Sequence, residues 1–196
     1  MCSSDLWQMC HNAALVVQIL LATRTLGLGE QAVGLCYVGL GAGTVLASMV
    51  GHRLSARIGP GPCLLLGFAT CGLGWLLLAL APTGPWGVAV FAATLMLFGV
   101  GAVFIFINFL SMRQAVTPEP LLGRMTSTMR WLILLPAGPG AVLGGWLGEH
   151  HGLRASLGFA GGTALLMVVL VWRHPVIRGV RTLPRAQPHP LVPEGA

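Results

Sequence analysis

The segment CLLLGFATCGLGWLLLALAPTGPWGVAVFAATLMLFGVGAVFIFINFLSM (residues 63–112) contains no charged side chain. A helix needs about 20 apolar residues to cross the hydrocarbon core of a bilayer, and this segment is long enough for two such helices. The Pro and Gly residues of PTGPWG at 82–87 divide it, because both residue types interrupt helices. The sequence therefore predicts two membrane spans here, Cys63–Ala81 and Val88–Met112.

The rest of the chain has a similar composition. Hydrophobic residues make up 55% of it, charged residues 8%, and the mean hydropathy is +0.82. A soluble domain carries roughly 25% charged residues, so the composition predicts an all-α polytopic membrane protein with six transmembrane helices. The four other predicted spans are Trp7–Thr23, Gln31–Gly51, Trp131–Gly148 and Ala155–Trp172.

The polar residues exclude several function classes. All eleven basic residues are Arg, which excludes a Schiff-base lysine and the lysine of a phosphate-binding loop. The arginines form no basic face, so nucleic acid is not an expected partner. The five cysteines lack metal-ligand spacing, and adjacent histidines in the EHH of 149–151 point apart. No serine lies in a nucleophile motif, so we expect no enzyme activity, no metal and no cofactor.

The arginines also predict the orientation in the membrane. If the first span starts in the cytoplasm, then nine of the eleven arginines lie in loops 52–62 and 113–130 or in the tail on that side. Positive charge in short loops marks the cytoplasmic side. We therefore expect both termini in the cytoplasm, with only Arg24 and Arg154 on the opposite side.

Two segments at the cytoplasmic side have a composition of their own. The connector RQAVTPEPLLGRMTSTMR (113–130) is expected to start a helix with Thr117 as N-cap and Pro118 in the first turn. The tail from 173 to 196 is basic and Pro-rich, and it is expected to be disordered near anionic lipid.

Small residues recur every fourth position on two predicted spans, a pattern that lets helices pack closely. Two interpretations are open: packing within the six-span bundle, or packing against a protein region outside this chain. The sequence LGFA also occurs at 66–69 and at 157–160, three spans apart, as in inverted three-span repeats. The small-residue positions are Gly39, Gly43, Ala47 and Gly51 on the second span, and Gly140, Gly144 and Gly148 on the fifth.

Four stretches together resemble the carboxyl-terminal half of major facilitator superfamily transporters. They are TRTLGLGEQAVGL (23–35), GHRLSARIGPGP (51–62), the 113–130 connector and PAGPGAVLGGWLGEHHGLRASL (136–157). The resemblance extends from about residue 12 to 172. It is greatest to the bacterial drug and siderophore exporter branch, which includes enterobactin-exporter-like proteins. Loop 51–62 resembles the family's basic Gly-loop motif but lacks its acidic residue.

This resemblance implies a mechanism and a partner. The chain would supply spans seven to twelve of an exporter in the bacterial inner membrane, in which two six-span halves rock around a small amphipathic substrate. The transport would be driven by an ion gradient, with the proton as the expected ion. The small-residue stripes would face an amino-terminal half that this chain does not contain. The residues expected to act in gating are Arg53, Arg57, Gly59, Arg113, Gly123, Arg124 and Arg130.

Few polar side chains are available within the spans. None of the five acidic residues falls in mid-span, so a proton-coupling carboxylate is expected in the other half. Gln18, Thr94 and Asn108 are the candidates for a central substrate cavity, although each can also hydrogen-bond to a neighbouring helix. A rival hypothesis is a six-span module that transports nothing and assembles as a homodimer or with a partner.

The first residues suggest an artefact. CSSDL at 2–6 resembles the translated end of a common sequencing adapter, so residues 1–6 are predicted to be non-native; the alternative is an ordinary polar N-terminus. The six-span unit is then expected over residues 7–172.

Overall fold

The computed structural model describes residues 2–117 and 121–173, and these residues are almost entirely helical. Within them, five helices are long and apolar enough to cross a membrane. The prediction of an all-α polytopic membrane protein is thereby confirmed. In chain order the helices are α1 (Cys2–Leu20, extended by a π-helical turn at Leu21–Thr25), α2 (Glu30–Ile58), α3 (Pro60–Ala79), α4 (Pro85–Val116), α5 (Leu122–Leu134), α6 (Ala137–His150) and α7 (Leu153–Arg173).

The predicted fifth span is broken. The expected continuous helix over 131–148 is wrong at residues 135 and 136, where α5 ends and α6 begins. Pro136 has no N–H to donate to the preceding turn, and the nearby Gly138 has a low helix propensity. In place of the predicted fifth span, the structure has two short helices of 13 and 14 residues.

Two helices continue beyond the predicted edge of the membrane. The predicted loop over 52–62 is mostly helical, and α2 and α3 are separated only by Gly59. Gly59 has a φ of 92°, which favours glycine, and Pro60 starts α3 at a position where its missing N–H costs little. A single glycine thus makes a tight corner between α2 and α3.

The start of the connector is seen only as the end of α4. Thr117 is the last residue of that end, and its hydroxyl donates to the Arg113 carbonyl oxygen at 2.9 Å. The predicted N-cap role of Thr117 depends on residues 118–120, which lie outside the described residues. The next described helix starts at Leu122 without a side-chain cap. Pro118 and the tail from 174 to 196 lie outside the described residues, whereas residues 2–6 form the first turns of α1.

The helices pack in a pattern that repeats after three spans. α1 packs against α6 and α7, and α4 packs in the same way against α2 and α3. α3 and α7 cross each other at the centre of the pattern. Exchanging the first three crossings with the last three leaves these pairings unchanged, as expected for an inverted three-span repeat.

Contacts at individual glycines agree with this repeat. At the α3–α7 crossing, a Cβ on Gly72 would lie 3.2 Å from Ala164, and one on Gly161 would lie 2.8 Å from Leu76. The two LGFA copies do not have equivalent packing environments. A Cβ on Gly67 would lie 2.9 Å from the Gly101 oxygen of α4, whereas one on Gly158 would meet no described atom within 4 Å. The four-residue match therefore does not identify equivalent positions.

The small-residue stripes face helices of this same chain. Gly39 and Gly43 of α2 contact the backbone of Ala92 and Met96 on α4, and Gly51 contacts the Phe104 ring. On α6 the stripe packs against α1 in the same register, with Gly140 against Met9, Gly144 against Ala13 and Gly148 near Val17. Ala47 is buried among residues of α2, α3 and α4. These are the contacts of the first interpretation, packing within the bundle.

Opposite ends of the bundle differ in charge. The Arg154 guanidinium donates to the Ala81 carbonyl oxygen at 2.7 Å, which ties the start of α7 to the end of α3. Arg24 lies at this same end, after α1. The other described arginines lie toward the opposite end, hereafter the arginine-rich end: Arg53, Arg57, Arg113, Arg124, Arg130 and Arg173.

Candidate functional site

A polar cavity lies between α2 and α4 at the arginine-rich end. It has a volume of about 300 Å³ and is hereafter the corner cavity. The Ser55 hydroxyl donates to Asn108 Oδ1 at 2.6 Å, and Asn108 Nδ2 donates to the Phe104 carbonyl oxygen at 2.8 Å. Its lining residues are His52, Ser55, Ala56, Pro60, Ile107, Asn108 and Ser111.

Four of the residues expected to act in gating are close in sequence to residues that line this cavity, although none of the four lines it. Arg53 and Arg57 flank Ser55 on α2 and are exposed, and the buried Gly59 forms the corner beside Pro60. The Arg113 guanidinium lies 4.0 Å from the centroid of the Phe109 ring on the same helix, a cation–π contact. Three of the predicted arginines therefore lie at the same end of the bundle as the Gly59 corner.

The other three gating candidates lie on a different helix. Gly123, Arg124 and Arg130 belong to α5 and are all exposed. α5 starts at the arginine-rich end and is followed along the chain by α6. These residues are therefore at the same end of the bundle as the corner cavity, but they do not line it.

Gln18, Thr94 and Asn108 are all buried, at 2%, 1% and 2% exposure. They do not converge on one central cavity. Positions 94 and 108 are separated by about 21 Å along α4, at 1.5 Å per residue. The Thr94 hydroxyl donates to the Gly74 carbonyl oxygen of α3 at 3.0 Å, while Asn108 bonds to Ser55 of α2. Both side chains thus link neighbouring helices, the second interpretation that the sequence left open.

An aromatic cluster joins α1, α3 and α4 inside the bundle. Trp7 lies 5.4 Å from Trp75 and 4.6 Å from Phe68, measured between ring centroids. His11 stacks on Phe98 at 5.1 Å with an interplanar angle of 2°, and on Trp7 at 6.2 Å and 7°. Trp7 and Trp75 are 8% and 1% exposed and belong to the core of the bundle.

His11 is not among the sequence-predicted site residues, because only carboxylates were expected as functional ionisable groups in mid-span. A signal was nevertheless present, since Trp7 and His11 are four residues apart and share one face of a helix. His11 Nδ1 is buried, and no described residue forms a hydrogen bond with it. Most buried polar atoms in proteins have a partner, so this nitrogen is unusual.

Comparison with known proteins assigns the family. The family model described as Major Facilitator Superfamily matches residues 8–194. The chain belongs to the Major Facilitator Superfamily. It is accordingly a multi-pass membrane protein of a transporter family, in agreement with the repeated packing of its helices. A search of curated proteins gives no match.

Membership of the superfamily relates the inverted pairing of the helices to transport. Transporters built from inverted repeats move substrates by rocking or gating one repeat against the other. In this chain, the small-residue contacts that hold α2 on α4 and α6 on α1 are the equivalent joints of the two repeats. The corner cavity lies at one such joint.

Proposed function

We propose that this chain is one six-span unit of an exporter that moves small amphipathic molecules by alternating access, driven by a proton gradient. The observation that carries the proposal is the inverted pairing of the helices in a chain of the Major Facilitator Superfamily. The resemblance to drug and siderophore exporters supports the substrate class and the direction of transport. The resemblance likewise supports assigning this unit to the carboxyl-terminal half.

A second six-span unit is the proposed partner, and it packs on the outward faces of α2 and α6. The stripes on the inward faces of these helices are already used within the bundle. The outward faces present large apolar side chains, among them Leu35 and Met49 of α2 and Val142 of α6, at 71%, 70% and 71% exposure. Apolar faces of this kind suit either lipid or another helix, and α2 packs mainly against α4 alone.

We further propose that the arginine-rich end faces the cytoplasm of a bacterial cell. Six of the eight described arginines lie toward this end, with Arg24 and Arg154 at the other. Positively charged residues near helix ends favour the cytoplasmic side. Both termini are then cytoplasmic, and the membrane is the inner membrane.

The arginines of the corner have a proposed role in gating. The cavity between α2 and α4 lies beside the tight turn that Gly59 makes between α2 and α3. Arg53 and Arg57 are exposed and able to contact a facing unit at this end, while Arg113 is held over Phe109. Movement of the second unit against these side chains then opens or closes the cytoplasmic side.

The direct test is transport into inverted membrane vesicles with ethidium, an amphipathic cation, as the probe. Vesicles are prepared with this chain alone and with the chain encoded by the full reading frame at its locus. Proton-gradient-dependent accumulation is expected with the full reading frame, and an ionophore that dissipates the gradient should abolish it. The chain alone should give no accumulation above that of empty vesicles.

Each contrary outcome has a distinct meaning. Gradient-driven accumulation by this chain alone would show that a second unit is not required. No accumulation with either chain would contradict export of amphipathic cations and would favour the rival six-span module without transport activity.

A further inference from the structure

His11 is a titratable side chain inside a membrane-spanning helix. It belongs to the span Leu6–Thr25. Ionisable residues within membrane helices are rare and generally mark ion or substrate pathways. The superfamily assignment does not identify a residue that binds the proton, and none of the acidic residues of this chain lies in mid-span.

The packing around His11 suits its neutral form better than its protonated form. Nδ1 is buried and has no hydrogen-bond partner among the described residues, so a second N–H on this ring would lack an acceptor. Phe98 and Trp7 stack on the ring nearly in parallel, at 2° and 7°. Aromatic faces attract a cation, but a buried donor without an acceptor is costly. A protonated His11 therefore favours a rearranged packing in which Nδ1–H reaches an acceptor.

The inverted repeat provides an internal comparison. Met9 and Ala13 of α1 contact the α6 stripe as Ala92 and Met96 of α4 contact the α2 stripe. The position between each pair is His11 on α1 and Thr94 on α4. The Thr94 hydroxyl donates to the Gly74 carbonyl oxygen of α3 at 3.0 Å. At these equivalent positions, the Thr94 hydroxyl has a hydrogen-bond partner, whereas His11 Nδ1 has none among the described residues.

Two thiols lie near this site, because Cys10 is next to His11 in sequence and Cys71 bonds to Phe98, whose ring stacks on His11. Cys10 lies 2.9 Å from the Thr163 hydroxyl of α7, and the Cys71 thiol of α3 donates to the Phe98 carbonyl oxygen at 3.9 Å. α3 has no Asp, Glu, Arg or His. The charged or titratable residues of α1 itself and of the helices around it are on other turns than His11. They are Asp5 and Arg24 on α1 and its extension, Arg113 on α4, Arg124 and Arg130 on α5, Glu149 and His150 on α6, and Arg154 and Arg173 on α7.

We propose that His11 is the proton-accepting residue of this unit. The imidazole takes a proton from water, and the protonated ring leaves its stacked position between Trp7 and Phe98. Contacts of α1 with α3 and α4 change with it, which links proton uptake to the change of conformation. This proposal rests on the proton-driven transport proposed above and names the group that senses the gradient.

The test is a pH titration of the full chain in lipid nanodiscs by NMR. Histidine rings and tryptophan indoles are labelled with ¹⁵N, and His11→Gln and His11→Phe variants identify the His11 resonances. The expected result is a reversible titration of His11 between about pH 5 and pH 8, the range in which histidine can change charge. The Trp7 and Trp75 indole signals should shift with the same midpoint, and this shift should be lost in both variants.

The chain also offers a control. Thr94→Val removes the equivalent polar group on α4 and should leave the His11 titration unchanged. A His11 that stays neutral over the whole range, or one that titrates without moving the two indoles, overturns the proposal. Neither result depends on a transport assay, so failure here is separate from failure of the export proposal.

Discussion

Ser55 donates a hydrogen bond of 2.6 Å to the amide oxygen of Asn108 and thereby joins α2 to α4 at the arginine-rich end. The amide nitrogen of Asn108 is used within α4, where it donates to Phe104. Both ends of this buried amide are therefore satisfied, and the pair fixes one wall of the corner cavity. The position of α4 relative to α2 at this end depends on it.

Ser55→Ala should lower the stability of the bundle by about 1 kcal/mol, the usual size of an interhelical hydrogen bond in a membrane protein. The Asn108 oxygen would be left without its donor. Thermal unfolding in detergent measures the effect. Ser48→Ala is the matched control, because the Ser48 hydroxyl donates only to the Thr44 carbonyl oxygen of its own helix. Equal unfolding temperatures for the two variants would contradict a structural role for the pair.

Gly43→Ala and Gly144→Ala should both destabilise the bundle, by about 1–3 kcal/mol through overpacking. A Cβ on Gly43 would collide with the Met96 carbonyl oxygen, and one on Gly144 would lie 2.6 Å from the Cα of Ala13. Backbone atoms at a helix interface cannot move aside as a flexible side chain can. Unfolding in detergent, followed by tryptophan fluorescence, gives the measurement.

The controls for this pair lie on the same helices. A Cβ at Gly41 or at Gly145 would meet no described atom within 4 Å. Gly41→Ala and Gly145→Ala should therefore be neutral or slightly stabilising, because Ala has the higher helix propensity. If all four variants behaved alike, the two stripes would not be the joints of the repeat.

Pro136→Ala should join α5 to α6. The substitution restores an N–H where the ladder is interrupted, and a proline inside a helix costs about 3 kcal/mol. Amide hydrogen exchange at residues 135–138 should become slower, and the fifth crossing should become straighter. Pro139→Ala is the control, since Pro139 lies in the first turn of α6, where an N–H has no acceptor within the helix. Similar slowing in both variants would mean that Pro136 is not the cause of the break.

The spans themselves were predictable from sequence because the apolar runs are long and their boundaries contain Pro, Gly or Arg. Helix ends were harder to place. Residues 52–58 are polar and read as a loop, yet α2 continues to Ile58 because the only residue that demands a special backbone conformation is Gly59. The Pro136 break was visible in the sequence as Pro-Ala-Gly-Pro, but hydropathy alone carried the predicted helix across it.

The candidate site was predictable only in part. The arginines of the corner were identified from their loop, whereas the partners of Thr94 and Asn108 depend on which helices meet. Spacing of small residues reveals that a helix packs closely but not against which neighbour. His11 owes its significance to Phe98 of α4 and Trp75 of α3, which are far from it in sequence.

The central claim is that this six-span unit is half of a two-unit exporter. The most direct measurement is a long sequencing read through the genomic locus upstream of the codon for Trp7. The account predicts that the reading frame continues upstream into about six further apolar spans, each of about 20 residues. A ribosome-binding site and a genuine start codon immediately before Met1 would contradict it, because no second unit would then precede this chain in one reading frame.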